Sequence, residues 1–376
     1  MKKKLIIASC LLSMISTCVS AYESYELPGE TYSYLMNFYD IGEHTGIDDD
    51  GKEVIGTNYI YNNNKISLFE SAKNWAVVIN GSKATKPVSF AVLGINDYNA
   101  MAASLYTNVA ELPYKVSNVN ARINHLTVTK NPYPTSFPAD GIIMVGKGVN
   151  PDAPGWATFS GFHSLYHGTI PDFNAVITHE IMHALGLNTY ATSFFDDRGD
   201  ENIYFSQGPN DSLGIYDKDL RIYTGDMSQT FDPKYEVVPR SGIAVAKGKE
   251  FDIFKYSPYY VGKETLKVLA GKNDYDDARQ AIIDNGGLTN YSGYYSVSER
   301  PNVYGLPIHP MDGDEEESEI DMAHIELRNS YMSHQDYRNW LIPMEAELAV
   351  LKDLGYNIDL RKYFGKSYYF NNITDT

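Results

Sequence analysis

The sequence is poor in cysteine, in positive charge and in long apolar runs. Its two cysteines, Cys10 and Cys18, both lie near the N-terminus of the 376-residue chain. If this part of the chain is a removed leader, the mature protein has no disulfide bonds and no cysteine switch in a propeptide. Beyond the leader no stretch offers the roughly twenty apolar residues that a membrane-spanning helix needs. We therefore expect an exported protein without a membrane span.

The scarcity of positive charge excludes a class of partner. The chain has 31 Lys and Arg against 48 Asp and Glu, which gives a formal net charge of −17. Proteins that bind nucleic acids neutralise phosphates with a basic surface. We therefore expect no nucleic-acid partner.

The N-terminus has the pattern of a secretory signal peptide. Three lysines follow Met1, and an apolar stretch runs from Leu5 to about Val19. The segment Val19-Ser20-Ala21 then places small side chains at the positions that a signal peptidase recognises. This arrangement predicts a Sec-type signal peptide over residues 1–21, with cleavage after Ala21. The expected location is the medium, the periplasm or the cell surface of a bacterium.

The most informative segment is His179-Glu180-Ile181-Met182-His183, followed by Gly186. In a helix, side chains at positions i and i+4 lie on one face, so His179 and His183 can bind one metal ion. Glu180 is the neighbouring residue and is suited to act as a general base on a water molecule at the metal. The motif predicts a zinc peptidase, and the alternative is that both histidines are ordinary polar residues on a helix surface.

Apolar periodicity around the motif predicts a mixed α/β unit. We expect helices at 66–79, 173–186, 276–283 and 344–354, and strands at 88–93, 141–145, 155–161 and 165–170. The predicted organisation is a signal peptide (1–21), a lead-in or propeptide (22–64), an N-terminal catalytic subdomain (65–190), an insertion that borders the cleft (191–307) and a C-terminal subdomain (308–376).

A catalytic zinc site needs a third protein ligand and an open position for water. In most metzincin peptidases a third histidine comes three residues after the glycine, but here that position is Thr189. A third ligand must therefore come from further along the chain. The candidates are His309, His324, His334 and the carboxylates Asp196, Asp197 and Asp200.

The segments 178–186 and 321–356 resemble the leishmanolysin-like branch of the metzincins, and the resemblance covers about residues 65–360. It implies an α+β metzincin-like fold with a mixed-sheet N-terminal subdomain, an active-site helix, a long insertion and a mainly helical or irregular C-terminal subdomain. It also implies that His324 is the third ligand and that Met332 is the methionine of the Met-turn beneath the zinc. His334 is a candidate for contact with the zinc or the transition state, and a solvated histidine is the alternative. His309 is the alternative ligand or a loop histidine.

These observations predict a secreted zinc endopeptidase that acts on protein or peptide substrates, with one catalytic Zn²⁺ and Glu180 as general base. One alternative is an inactive surface-binding or adhesive protein on the same fold. Another is an active peptidase of the gluzincin type, whose third ligand is a carboxylate. Acidic segments at 196–202 and 312–317 are candidate Ca²⁺ sites because calcium favours clustered oxygen ligands, but solvated acidic loops are the favoured interpretation.

Overall fold

The computed structural model describes residues 23–29, 32–47, 53–82, 84–97, 100–130, 139–149, 173–189, 192–195, 203–206, 214–222, 258–288, 303–309, 323–327, 330–333 and 343–360. Several predictions lie outside these residues. They are the signal peptide, the strands at 155–161 and 165–170, both acidic segments, His334 and the three aspartates considered as ligands.

The described residues form a mixed α+β structure. Its six α-helices are α1 (Asn62–Val78), α2 (Asn118–Ile123), α3 (Phe173–Ala184), α4 (Lys263–Ala270), α5 (Tyr275–Asp284) and α6 (Glu345–Asp353). Its strands are β1 (Glu23–Pro28), β2 (Ser33–Tyr39), β3 (His44–Ile47), β4 (Glu53–Ile55), β5 (Val88–Ile95), β6 (Met101–Ser104), β7 (Tyr106–Val109), β8 (Val116–Ser117), β9 (Val128–Lys130), β10 (Gly141–Gly146), β11 (Thr192–Phe195), β12 (Ile203–Ser206), β13 (Leu220–Ile222), β14 (Pro258–Tyr260) and β15 (Leu306–Pro307). The predicted helices at 66–79, 173–186, 276–283 and 344–354 and the strands at 88–93 and 141–145 are all present, with boundaries shifted by a few residues.

The largest sheet of the described residues is mixed and has five strands, in the order β1-β2-β5-β10-β6. Strands β2, β5 and β10 are parallel, while β1 and β6 run antiparallel at the two ends of the order. The sequence of β5 is an almost continuous apolar run, which is typical of a strand covered on both faces. Its residues Val88, Phe90 and Leu93 are fully buried accordingly.

Helices α1 and α3 pack against each other beside this sheet. The indole Nε1 of Trp75 in α1 donates a hydrogen bond to the carbonyl oxygen of Thr178 in α3, at 3.1 Å. The hydroxyl of Thr178 donates to Ser71 Oγ at 3.1 Å. Because both polar groups of Thr178 are satisfied, the residue before the histidine motif can be buried without cost from unpaired atoms.

The last helix, α6, packs against α4. Asp353 at the end of α6 accepts hydrogen bonds from the backbone N–H groups of Glu264 and Thr265 in the first turn of α4, at 2.7 and 3.0 Å. These are donors that an isolated helix leaves unsatisfied. Within the described residues, no helix is long and apolar enough to span a membrane.

Candidate metal centre

Helix α3 presents two histidines at one point of the interior. All twelve residues of the helix are buried, so the polar side chains of the motif face protein. Since His179 and His183 are one turn apart, their side chains lie on the same face. Their Nε2 atoms are 3.0 Å apart.

A third histidine reaches the same point from a distant part of the chain. The Nε2 atom of His324 lies 3.2 Å from that of His179 and 3.3 Å from that of His183. Tetrahedral ligands at the usual Zn–N distance are about 3.3 Å apart, so these separations fit one ion. His179, His183 and His324 therefore form a cluster that could hold a metal ion, and in the described part of the chain no other such cluster of three is found.

Backbone carbonyls set the orientation of the two helix histidines. His179 Nδ1 lies 2.6 Å from the carbonyl oxygen of Tyr331, and His183 Nδ1 lies 2.8 Å from that of Leu187. A carbonyl oxygen only accepts, so each Nδ1 carries the proton and donates it. The resulting tautomer leaves each Nε2 as the nitrogen that binds a metal.

Gly186 explains how the carbonyl of Leu187 reaches His183. The glycine has φ of 114°, a region that side-chain-bearing residues rarely adopt. The chain therefore turns back at the end of α3, and Leu187 N donates to the carbonyl of Met182 at 3.3 Å. This end of the helix supplies an acceptor to the second histidine of the motif.

His324 is held by the chain on both sides of it. Its carbonyl oxygen accepts a hydrogen bond from His309 N at 2.8 Å, and the next residue, Ile325, donates its N–H to the carbonyl of Met332 at 2.6 Å. The segment 306–309 and the turn at 330–333 thus flank the segment that carries the third histidine. Met332 is completely buried.

The side chain of Glu180 extends from helix α3 to β6, the last strand in the order of the described sheet. Its Oε2 accepts a hydrogen bond from the backbone N–H of Ala102 in β6, at 2.9 Å. The residue is buried, with 7% of its surface exposed. The N–H of Ala102 in strand β6 thereby holds the carboxylate of Glu180 in place.

The other candidates are placed apart from this cluster or outside the described residues. His309 is buried and its Nδ1 pairs with Glu326 Oε2 at 2.6 Å, both side chains being almost fully enclosed. Thr189, at the position where a compact site has its third histidine, donates its hydroxyl to Asp217 Oδ1 at 2.7 Å. His334 and the aspartates 196, 197 and 200 lie outside the described residues.

Sequence reasoning missed several groups that build the site. The carbonyls of Leu187 and Tyr331 and the N–H of Ala102 are backbone groups, and no residue type signals them. Glu347 is a fully buried acid that bonds to the turn at Met332. Its position among apolar residues of the predicted helix 344–354 was a signal that could have identified it.

Comparison of the chain with protein-family models, with curated proteins and with solved structures gave no significant match. The functional interpretation therefore depends on the residues of this chain and their geometry.

Proposed function

We propose that the protein is a secreted zinc endopeptidase of the metzincin type, with His179, His183 and His324 as metal ligands. The observation that carries this proposal is the convergence of three Nε2 atoms within 3.3 Å of one another. Three imidazoles without a carboxylate or thiolate suit zinc in a catalytic site, which keeps a further position open. Export is proposed from the leader-like residues 1–21.

A bound zinc ion would supply Lewis acidity to a water molecule and to a substrate carbonyl. The chain supplies the other functions. Glu180 accepts a proton at its carboxylate and returns it to the departing amine, as a general base and then a general acid. The N–H of Ala102 orients the carboxylate by donating to Oε2.

The hydrogen bond between Glu180 and the last strand in the sheet order supports a peptide as substrate. Strand β6 is the last strand in the sheet order, and among the described residues no strand pairs with its outer side. An extended peptide can add to such an edge through main-chain hydrogen bonds to groups other than the N–H of Ala102, which donates to Glu180. Since Glu180 contacts β6, a peptide on this edge would pass the proposed base.

The test is Glu180→Gln, which keeps the size of the side chain and removes its basicity. We expect zinc content to stay that of the wild type while kcat/KM for an unfolded protein substrate falls by about 10²–10⁴-fold. Glu26→Gln is the matched control, because Glu26 is exposed on β1. Zinc content is measured by atomic emission, and cleavage is measured with and without a zinc chelator.

Normal, chelator-sensitive cleavage by Glu180→Gln would contradict the assignment of the base. A wild-type protein that binds zinc but cleaves no peptide would instead support the alternative of an inactive binding protein on this fold.

A further inference from the structure

The carboxylate of Glu347 is buried against the turn that follows the third histidine. Glu347 lies in the first turn of α6 and is 0% exposed. Its Oε1 accepts hydrogen bonds from the hydroxyl of Ser330 and, at 2.9 Å, from the backbone N–H of Met332. Its Oε2 accepts from the N–H of Met344. The two oxygens thus serve two segments: one caps α6 and the other holds the turn at 330–333.

Two carbonyl groups of this turn accept hydrogen bonds, one from a histidine of the cluster and one from the residue after another. The carbonyl of Tyr331 accepts from His179 Nδ1 at 2.6 Å. The carbonyl of Met332 accepts from the N–H of Ile325, the residue after His324, at 2.6 Å. A shift of the turn would therefore move the acceptor of His179 together with the acceptor of the residue that follows His324.

Burying the carboxylate of Glu347 costs folding free energy unless donors satisfy it. Burial raises the pKa of Glu347 to about 7, and the hydrogen bonds from Ser330, Met332 and Met344 oppose that rise. Buried carboxylates are tolerated when hydrogen-bond donors surround them. Here the donors to Oε1 come entirely from the turn, so this oxygen is matched to the turn's geometry.

We propose that Glu347 is a positioning residue for the metal centre. By fixing the turn at 330–333, it places the carbonyls of Tyr331 and Met332 so that His179 and the segment of His324 present their Nε2 atoms to one ion. Groups that orient metal ligands typically contribute 10–100-fold to metal affinity. The inference rests on the proposed function only in taking the histidine cluster as the metal site.

The test compares Glu347→Gln with Glu345→Gln in the same helix turn. Both changes remove one carboxylate, but among the described residues Glu345 has no hydrogen bond to the turn, and one of its oxygens is buried without a partner. We expect the zinc Kd of Glu347→Gln, measured by chelator competition, to rise by about 10–100-fold, and that of Glu345→Gln to stay unchanged. Thermal unfolding of the metal-free proteins shows whether each variant is folded.

A second variant separates positioning of the turn from capping of the helix. Ser330→Ala removes the hydroxyl that bonds both Glu347 Oε1 and Met332 N, and leaves the bond from Met344 to Oε2 in place. We expect it to weaken zinc binding as well, and less than additively with Glu347→Gln, because both act through the same turn. If Glu347→Gln fails to fold, Ser330→Ala still decides the question.

Wild-type zinc affinity in both Glu347→Gln and Ser330→Ala, with only a lower melting temperature, would overturn the inference and leave Glu347 as a helix cap. His179→Ala distinguishes this from failure of the proposed function. If His179→Ala loses zinc and Glu347→Gln does not, only the inference fails. If His179→Ala also keeps wild-type zinc affinity, the metal site itself is wrongly assigned.

Discussion

At the scale of single residues, the site depends on which ring nitrogen of each helix histidine carries the hydrogen. His179 and His183 each donate Nδ1–H to a backbone carbonyl, which directs both Nε2 atoms to the same point. The Nε2 of His324 lies within 3.3 Å of both. Because the two helix histidines present acceptor nitrogens to the same point as the third imidazole, the arrangement favours a shared cation.

Substitutions of His324 and His309 distinguish a metal ligand from a histidine that supports the fold. We expect His324→Ala to lose tightly bound zinc because one donor of the cluster is removed. His309→Gln should retain zinc at the wild-type ratio but lower the free energy of unfolding by about 1–3 kcal/mol, because the buried Glu326 loses its partner. Zinc per chain after dialysis and chemical denaturation measure the two effects.

The exposed His125 gives the control, since His125→Asn removes a histidine at a position with positive φ that asparagine tolerates. The assignment of the third ligand is wrong if His309→Gln loses zinc while His324→Ala keeps it.

The sequence predicts residues of the site unequally. His179, Glu180 and His183 are identified by their motif, because its spacing places the two histidines on one face of a helix. The choice of His324 over His309 and His334 came from the family resemblance, because spacing along the chain carries no information on their contacts. The carbonyl acceptors could not be predicted at all, since every residue has one and only the path of the backbone decides which carbonyl faces a histidine.

At the scale of elements, long periodic segments were predictable and the N-terminal strands were not. Helices α1, α3, α5 and α6 have apolar residues at helical spacing, and β5 is a dense apolar run. The segment 22–64 is polar and rich in turn residues, which led to its interpretation as a lead-in or propeptide. The structure places Ser33–Tyr39 of that segment inside the sheet, parallel to β5. Because β5 follows only after the crossover helix α1, the residues around β2 give no sign of this pairing.

The place of β2 predicts that residues 23–39 stay with the active protein. Strand β2 lies between β1 and β5, and its residues Tyr34 and Met36 are fully buried. Removing it would expose the edge of β5 and the apolar surface beneath it. We expect mass spectrometry of the active protein to find residues 23–39, and a chain that starts at residue 65 not to fold by circular dichroism.

A chain that starts at residue 23 is the matched control and should fold. An active form that lacks residues 23–39 altogether would show that the segment is a removable propeptide.

At the scale of the whole molecule, the site joins parts of the chain that are far apart in sequence. His183 and His324 are 141 positions apart, yet their Nε2 atoms are 3.3 Å apart. One buried cluster contains residues from both regions, including Ile181, Met182, Ile325 and Met332. A folded intervening segment can bring its ends together at any length, so only the packed core determines this contact.

Zinc-edge X-ray absorption on the purified protein and on the His324→Ala variant would identify the ligands of the metal. We predict one zinc per chain with three imidazole nitrogens at about 2.0–2.1 Å, and, for the weakly bound zinc of the variant at saturating zinc, one imidazole fewer. A zinc ion bound by two imidazoles and a protein carboxylate, unchanged in His324→Ala, or a protein that binds no zinc, would contradict this prediction.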